Sequence, residues 1–185
     1  SQLALRSDGG GELCSGTTLC FGGLRVTPVS TSHDAREPVA FIFDDGRHSA
    51  ALCTDTGRIT TLLERRMRGC EVLLVEANHD ADMLRNGPYP WPLKQRIGSS
   101  TGHLSNARSG EAVSALHSSA LKAVVGLHLS AENNHPGLVS RTLDEAVERA
   151  IPVAAVTRRE MLRVAIGNRC AVLERHDLPP AASSR

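Results

Sequence analysis

The sequence lacks the long apolar segments and the cysteine spacing that define two large classes of protein. No apolar run approaches the ~20 residues of a membrane-spanning helix, and no secretory signal peptide is visible, so no membrane partner is expected. The five cysteines are odd in number and include no CxxC pair, which argues against a disulfide framework or a cysteine-type zinc knuckle. We therefore expect a cytoplasmic protein in which Cys53 and Cys70, beside apolar segments, are buried thiols.

A strong excess of charge is also missing. The 21 basic and 20 acidic residues leave a formal net charge of +1 at pH 7. The chain as a whole therefore neither attracts nor repels nucleic acid, and any phosphate-binding surface must be local. With 185 residues, of which 41% are hydrophobic, the chain is long enough to form one domain with its own core.

Hydrophobic periodicity predicts strands that alternate with helices. Strands are expected in six segments: residues 24–29, 39–43, 49–53, 72–75, 123–127 and 151–156. Helices are expected in three: residues 60–68, 111–118 and 142–150, the last opened by a Thr-Leu-Asp-Glu capping box. The Pro-rich segment 86–92 is interpreted as an ordered loop. The alternation is typical of a layered α/β fold.

The ends of the chain carry no periodic signal. We expect an irregular N-terminal segment at residues 1–20, one domain at residues 21–178 and a disordered tail at residues 179–185.

Possible ligands follow three of the predicted strands. Asp55 comes just after the third strand, Glu76 directly after the fourth and His128 directly after the fifth. In layered α/β folds, ligands gather at one edge of the sheet, where strands give way to loops. A single histidine after a strand is more often a core or capping residue. Three strand ends together favour a functional site.

These side chains offer the donor atoms that divalent metals use in hydrolases. His33 and His128 can each provide an imidazole nitrogen, and the carboxylate of Asp55 can bridge two ions. Two ions about 3.5–4 Å apart would activate water and hold a phosphodiester for in-line attack. His103, which follows Gly102 and precedes a helix, can contact a phosphate oxygen or protonate a leaving group. A local hydrogen bond at the helix start is its other interpretation.

Six motifs resemble a known family. They are Ser-His-Asp-Ala at residues 32–35, Thr-Asp-Thr-Gly at 54–57, Glu-Ala-Asn-His-Asp at 76–80, Asn-Gly-Pro-Tyr-Pro-Trp-Pro-Leu-Lys-Gln-Arg at 86–96, Gly-His-Leu-Ser-Asn at 102–106 and His-Leu-Ser-Ala-Glu-Asn-Asn at 128–134. In this order the chain resembles the YycJ/WalJ-like branch of the metallo-β-lactamase superfamily. The resemblance implies an αββα sandwich with two Zn or Mn ions at its edge, and 5′→3′ exonuclease activity on DNA.

The resemblance also implies roles for individual residues. His33, Asp55 and His128 match metal ligands, with Asp55 as the bridging, catalytic carboxylate. Glu76 matches a residue that orients a ligand. His103 matches the position that contacts the scissile phosphate in RNA-processing relatives.

A branch-specific insertion is implied to face the nucleic acid. Its candidate substrate-binding residues are Asn78, His79, Tyr89, Lys94 and Arg96. For the aromatic side chains of Tyr89 and Trp91, base stacking and plain loop packing both stay open.

One part of the family pattern is absent. The His-x-His-x-Asp-His signature, which supplies the other half of the metal ligands, does not occur in the sequence. The chain is either a piece of a longer enzyme or a degenerate family member. We favour the piece, because the candidate ligands and His103 are all retained. Such a piece would leave one face of its sheet uncovered and would need an N-terminal fragment or a homo-oligomer to complete the domain.

Three functions are therefore under consideration. The first is a metal-dependent phosphodiesterase acting on nucleic-acid ends. The second is a non-catalytic module that binds nucleic acid or a protein through the same surface and needs no metal. The third is a hydrolase of small phosphodiesters or thioesters, because a fold of this type does not by itself choose the chemistry.

Overall fold

The computed structural model describes residues 15–177. Most of the predicted irregular segment 1–20 and the whole predicted tail 179–185 lie outside these residues. Within the described part of that first segment, a strand begins at Leu19.

Nine strands and five helices make up the described part of the chain. The strands are β1 (Leu19–Phe21), β2 (Leu24–Ser30), β3 (Val39–Asp44), β4 (Ser49–Cys53), β5 (Val72–Glu76), β6 (Ala123–Leu127), β7 (Val153–Ala155), β8 (Glu160–Ile166) and β9 (Ala171–Asp177). The helices are α1 (Thr61–Met67), α2 (Ala81–Asn86), α3 (Trp91–Ile97), α4 (Asn106–Leu116) and α5 (Pro136–Ala146). None of these helices is long and apolar enough to cross a membrane.

The first seven strands form one sheet in sequence order. The pairs from β1 to β4 are antiparallel, whereas β4, β5, β6 and β7 are parallel to one another. The carboxyl ends of β4, β5 and β6 therefore lie side by side at one edge of the sheet. The predicted mixed α/β architecture is confirmed.

Helices α1, α4 and α5 cover one face of the sheet. Their apolar side chains, among them Leu63, Val113 and Leu143, pack on sheet residues and are fully buried. Cys53 and Cys70 belong to the same core, which confirms the prediction that both are buried thiols. Burial raises the pKa of the Cys53 thiol to about 12, so this thiol stays protonated and unreactive.

The β8–β9 hairpin packs against the opposite face. Its residues Val164, Ile166 and Leu173 contact a small core that includes Val72 and Ala123 of the central strands. The expectation that this face is uncovered is therefore wrong where β8 and β9 lie. The alternation of half-buried and exposed residues along β8 is that of a strand with one face on a core, a signal that the sequence analysis missed.

The helix predicted at residues 142–150 begins six residues earlier. Helix α5 starts at Pro136, and the N-cap is His135, whose Nδ1 accepts a hydrogen bond from the Gly137 amide. Thr142, taken as a capping residue, lies inside the helix and donates its hydroxyl to the carbonyl of Leu138. Proline in the first turn lacks an N–H that would in any case be unpaired, so it marks this helix start better than the threonine does.

The segment predicted as a loop contains parts of two helices. Asp80 caps α2 by accepting hydrogen bonds from the amides of Asp82 and Met83. Helix α3 starts at Trp91 and carries a proline in its first turn. Helix α4 likewise begins at Asn106 behind its cap Ser105, five residues before the predicted start. The start of α4 lies beside the end of β5, where the amide of Asn78 donates to the carbonyl of Leu104 and the amide of Asn106 donates to the carbonyl of His79.

Candidate metal centre

The candidate centre lies where β4, β5 and β6 end. Asp55 and His128 both adopt left-handed backbone conformations, with φ of 53° and 57°. This conformation is uncommon for residues other than glycine and aims both side chains at the same edge of the sheet. Two side chains hold these turns: the Thr31 hydroxyl donates to the carbonyl of Asp55, and the Asn78 amide donates to the carbonyl of His128.

A fully buried carboxylate, Glu76, connects the parts of the centre. Its Oε1 atom lies 2.7 Å from the Nδ1 atoms of both His103 and His128. Its Oε2 atom accepts hydrogen bonds from the backbone amides of Thr56 and Leu104. Burial alone would raise the pKa of Glu76, but hydrogen bonds from His103, His128 and Thr56 outweigh it and lower the pKa to about 2. Glu76 is therefore ionised at neutral pH.

The hydrogen bonds to Glu76 set the tautomers of the two histidines. An ionised carboxylate only accepts, so His103 and His128 each present an Nδ1–H to it, and in the neutral ring the Nε2 atom keeps its lone pair. The hydrogen bond to Glu76 also raises the pKa of His128, against the effect of burial. A carboxylate behind an imidazole is the usual arrangement that orients a histidine towards a metal ion.

His33 joins this group through the loop before α4. Its ring centre lies 4.9 Å from that of His103, and its Nδ1 atom lies 2.9 Å from the carbonyl oxygen of Gly102. Its Nε2 atom is 3.8 Å from Oδ1 of Asp55. Because a Cβ atom on Gly102 would lie 2.2 Å from the Arg96 carbonyl oxygen, only glycine allows this close approach of the loop to α3.

The clustered side chains offer donor types that divalent metal ions use. Ligand atoms of Asp55, Glu76, His103 and His128 all lie within 4.8 Å of one another. Glu76 already accepts four hydrogen bonds, so its geometry suits an orienting group better than a ligand. Asp55 with the surrounding imidazoles is a nitrogen and oxygen donor set of the kind that Zn and Mn accept. His33, outside the tight cluster, lies beside it.

The predicted substrate-binding residues are divided among three places. Asn78 is occupied with the carbonyl of His128 and supports the centre from behind. His79 and Lys94 line a cleft of about 350 Å³. Tyr89 and Arg96 line a second cleft, of about 310 Å³, in which the guanidinium of Arg96 is paired with Asp34.

Several residues that support the centre were not predicted. The amide of Thr56 donates to Glu76, and the Ser109 hydroxyl donates to the backbone carbonyl of Glu76. The side-chain amides of Asn106 and Asn134 bond to each other, and Asn134 also donates to the carbonyl of Ala77. The asparagines and Thr56 lie inside motifs that the sequence displays, whereas Ser109, in the middle of α4, carries no local signal.

The sheet edge and its side chains define a class of site. A buried carboxylate that orients two imidazoles, beside an aspartate and a third histidine, is what a metal-dependent hydrolase of α/β type uses to hold divalent ions. Comparison with known proteins gives the family: residues 12–129 match the family model described as a beta-lactamase superfamily domain. The chain belongs to the metallo-β-lactamase superfamily, as its motifs predict.

Curated relatives carry the branch-level similarity. The chain is 34% identical over 133 residues to the exodeoxyribonuclease YycJ of Bacillus anthracis, covering 72% of this chain and 50% of that protein. It is 37% identical over 135 residues to the exodeoxyribonuclease WalJ of Streptococcus pneumoniae, covering 73% of this chain and 50% of that protein. The chain thus spans about half the length of these relatives.

Solved structures show the same fold. The metallo-β-lactamase fold protein YhfI of Bacillus subtilis matches with a TM-score of 0.58 at 14% identity, over 86% of this chain and 52% of YhfI. The zinc-bound PqqB of Methylobacterium extorquens matches with a TM-score of 0.50 at 22% identity, over 77% of this chain and 48% of PqqB. At these identities the likeness concerns the fold alone.

Proposed function

We propose that this chain supplies one half of the active site of a metal-dependent phosphodiesterase that removes nucleotides from DNA ends in the 5′→3′ direction. The observation that carries the proposal is the pair of hydrogen bonds from His103 and His128 to the buried Glu76, because such a pair orients imidazoles for metal or phosphate. The exodeoxyribonuclease names of YycJ and WalJ support DNA as the substrate.

Each side chain has a distinct task in this proposal. His33, Asp55 and His128 hold divalent ions, Zn or Mn, and Glu76 keeps the His128 ring in place. The ions, when bound, supply an activated water molecule and neutralise charge on the phosphate. His103, in its doubly protonated form, donates its Nε2–H to an oxygen of the scissile phosphate while its Nδ1–H stays bonded to Glu76.

The remaining ligands of a dinuclear centre come from outside this chain in the proposal. The His-x-His-x-Asp-His signature that would provide them is absent from the sequence. An N-terminal fragment or a second copy of the chain is the proposed source. A cytoplasmic location belongs to the same proposal, supported by cysteines that lack the spacing of a disulfide framework.

A metal-retention experiment tests the assignment of Asp55. The protein in its full-length form is loaded with Zn²⁺ or Mn²⁺, desalted and measured by elemental analysis, and compared with its Asp55→Asn variant. We expect the wild type to retain metal and the variant to lose most of it. Asp144→Asn on α5 is the matched control. Equal metal retention by wild type and Asp55→Asn would contradict the proposed centre and favour a metal-independent binding module.

A competition experiment tests the substrate. Hydrolysis of a 5′-labelled single-stranded DNA is measured alongside hydrolysis of a small chromogenic phosphodiester, with the protein in its full-length form. We expect release of labelled mononucleotide, loss of that release in Asp55→Asn, and inhibition of the chromogenic reaction by DNA. Chromogenic hydrolysis that DNA does not inhibit would instead indicate an enzyme for small phosphodiesters.

A further inference from the structure

Helix α3 separates two clefts that meet at His103. Residues spaced three or four apart share one face of a helix. The first cleft takes one such set from α3 and its C-cap: Trp91, Lys94, Gln95 and Gly98. The second takes the other face with the preceding loop: Tyr89, Leu93, Arg96 and Ile97. We call the first the α3–α4 cleft, and define it by His79, Arg85, Trp91, Lys94, His103 and Arg108.

Of the three cations that line the α3–α4 cleft, Arg85 is paired with Asp82, whereas Lys94 and Arg108 have no acidic partner among the described residues. Among residues 15–177, no carboxylate lies within 4.0 Å of the side-chain nitrogens of Lys94 or Arg108. Each of the two cations is anchored by one donor, Lys94 on the carbonyl of Arg85 and Arg108 on the carbonyl of Gly57, which leaves the other donors free for a ligand. In the second cleft, by contrast, Arg96 is neutralised by Asp34. The α3–α4 cleft therefore suits an anion.

An aromatic ring stands at the same cleft. Trp91 is 65% exposed, the highest fraction among the large hydrophobic residues that the structure describes as exposed. A tryptophan that packs on no core and lies beside cations is the combination used for stacking single-stranded bases.

A buried polar group adds a second observation. His79 lines the cleft and is 4% exposed, and its Nδ1 atom has no hydrogen-bond partner within the described part of the chain. Burial lowers the pKa of His79 to about 4, so the ring is neutral and offers one donor and one acceptor. The neutral ring therefore adds hydrogen-bonding capacity, and no charge, at the wall of the cleft.

We propose that the α3–α4 cleft binds one unpaired nucleotide beside the scissile phosphate, with its base stacked on Trp91 and its phosphate held by Arg108 and Lys94. The inference rests on the proposed function, because His103 links the cleft to the reacting phosphate. A volume of about 350 Å³ is at the small end of ligand clefts and matches one nucleotide rather than a base pair. The proposal therefore predicts tighter binding of single-stranded ends than of blunt duplex ends.

The fluorescence of Trp91 provides a direct test, because this is the sole tryptophan of the chain. The chain is titrated with 5′-phosphorylated hexathymidylate in the presence of a chelator, so that no hydrolysis occurs. We expect saturable quenching of the emission, and about tenfold or more weaker binding of a blunt duplex. Arg108→Gln and Lys94→Gln should each weaken binding. Each should also reduce the slope of log binding constant against log salt concentration by roughly one. The control Arg65→Gln, on α1, should change neither the affinity nor its salt dependence.

Anisotropy of a labelled hexathymidylate provides the second readout. Trp91→Ala should weaken binding about ten- to hundredfold, and Trp91→Phe should restore most of it. Three results would overturn the inference: no binding, binding that leaves Trp91 emission unchanged, or unchanged affinity in Trp91→Ala.

The two proposals fail in different ways. Quenching by hexathymidylate in a full-length, metal-loaded protein that hydrolyses no DNA would overturn the nuclease and leave the nucleotide site standing. DNA hydrolysis without quenching would overturn the nucleotide site and leave the nuclease standing.

Discussion

The Nδ1 atom of His128 lies 2.7 Å from Oε1 of Glu76, although 52 residues separate them in the sequence. The same oxygen accepts from His103, and the other carboxylate oxygen accepts from the amides of Thr56 and Leu104. One buried side chain therefore ties together the end of β6, the loop after β4 and the loop before α4. The stability of the domain and the orientation of its histidines depend on the same group.

Replacing Glu76 with glutamine should lower the stability of the domain and change the orientation of its histidines. A glutamine amide has one oxygen and one NH₂ group, so two of the four N–H donors now face another donor. An unpaired buried donor costs about 1–3 kcal/mol, and we expect the free energy of unfolding to fall by roughly 2–4 kcal/mol. Denaturant unfolding measures the stability, and long-range ¹H–¹⁵N spectra report the tautomers of His103 and His128.

The control for this change is Glu111→Gln on α4. Glu111 is exposed, so the free energy of unfolding should change by less than about 0.5 kcal/mol. If Glu76→Gln unfolds at the wild-type denaturant concentration with both tautomers unchanged, Glu76 does not organise the centre.

The clustering of Asp55, Glu76 and His128 could be predicted because it follows from the order of the elements. Each residue lies at the end of a short apolar strand, and successive β-α-β units place parallel strands side by side. The contacts between loops could not be predicted from the order of the elements. The approach of His33 to Gly102, across 69 residues, depends on how two irregular segments fold over the sheet edge, and no local pattern encodes it.

Element boundaries were predicted less well where one local signal had two meanings. The prolines before and after Trp91 indicated a loop, but proline is also favoured in the first turn of a helix, where α3 uses it. The Thr-x-x-Glu pattern at Thr142 resembled a cap, yet a threonine inside a helix can bond its hydroxyl to the preceding turn.

Gly102→Ala should displace His103 and destabilise the domain. The added Cβ atom would lie 2.2 Å and 2.3 Å from the carbonyl oxygens of Arg96 and Ile97, which belong to backbone that cannot rotate away. We expect a loss of about 1–3 kcal/mol in the free energy of unfolding, as for other overpacked sites. Thermal or denaturant unfolding measures this loss.

Gly98→Ala is the matched control, four residues upstream of Gly102. Its Cβ atom would lie 3.5 Å from the carbonyl oxygen of Lys94, an ordinary contact. The control should therefore unfold near the wild type. Equal stability of the two alanine variants would show that the loop tolerates a side chain at Gly102.

The neutral state of His79 predicts a specific dependence of stability on pH. Burial lowers the pKa of His79 from 6.5 to about 4, so the unfolded chain binds more protons than the folded chain between these two values. Stability should therefore fall as the pH is lowered from 7 to 5, with His79 contributing on the order of 2 kcal/mol to the loss. His79→Gln, which keeps a polar side chain but does not titrate, should lose correspondingly less stability over the same range. Denaturant unfolding of both proteins at pH 7, 6 and 5 gives the difference, and the other titrating groups cancel in it. Parallel pH dependences would show that His79 is protonated as easily in the folded chain as in the unfolded one.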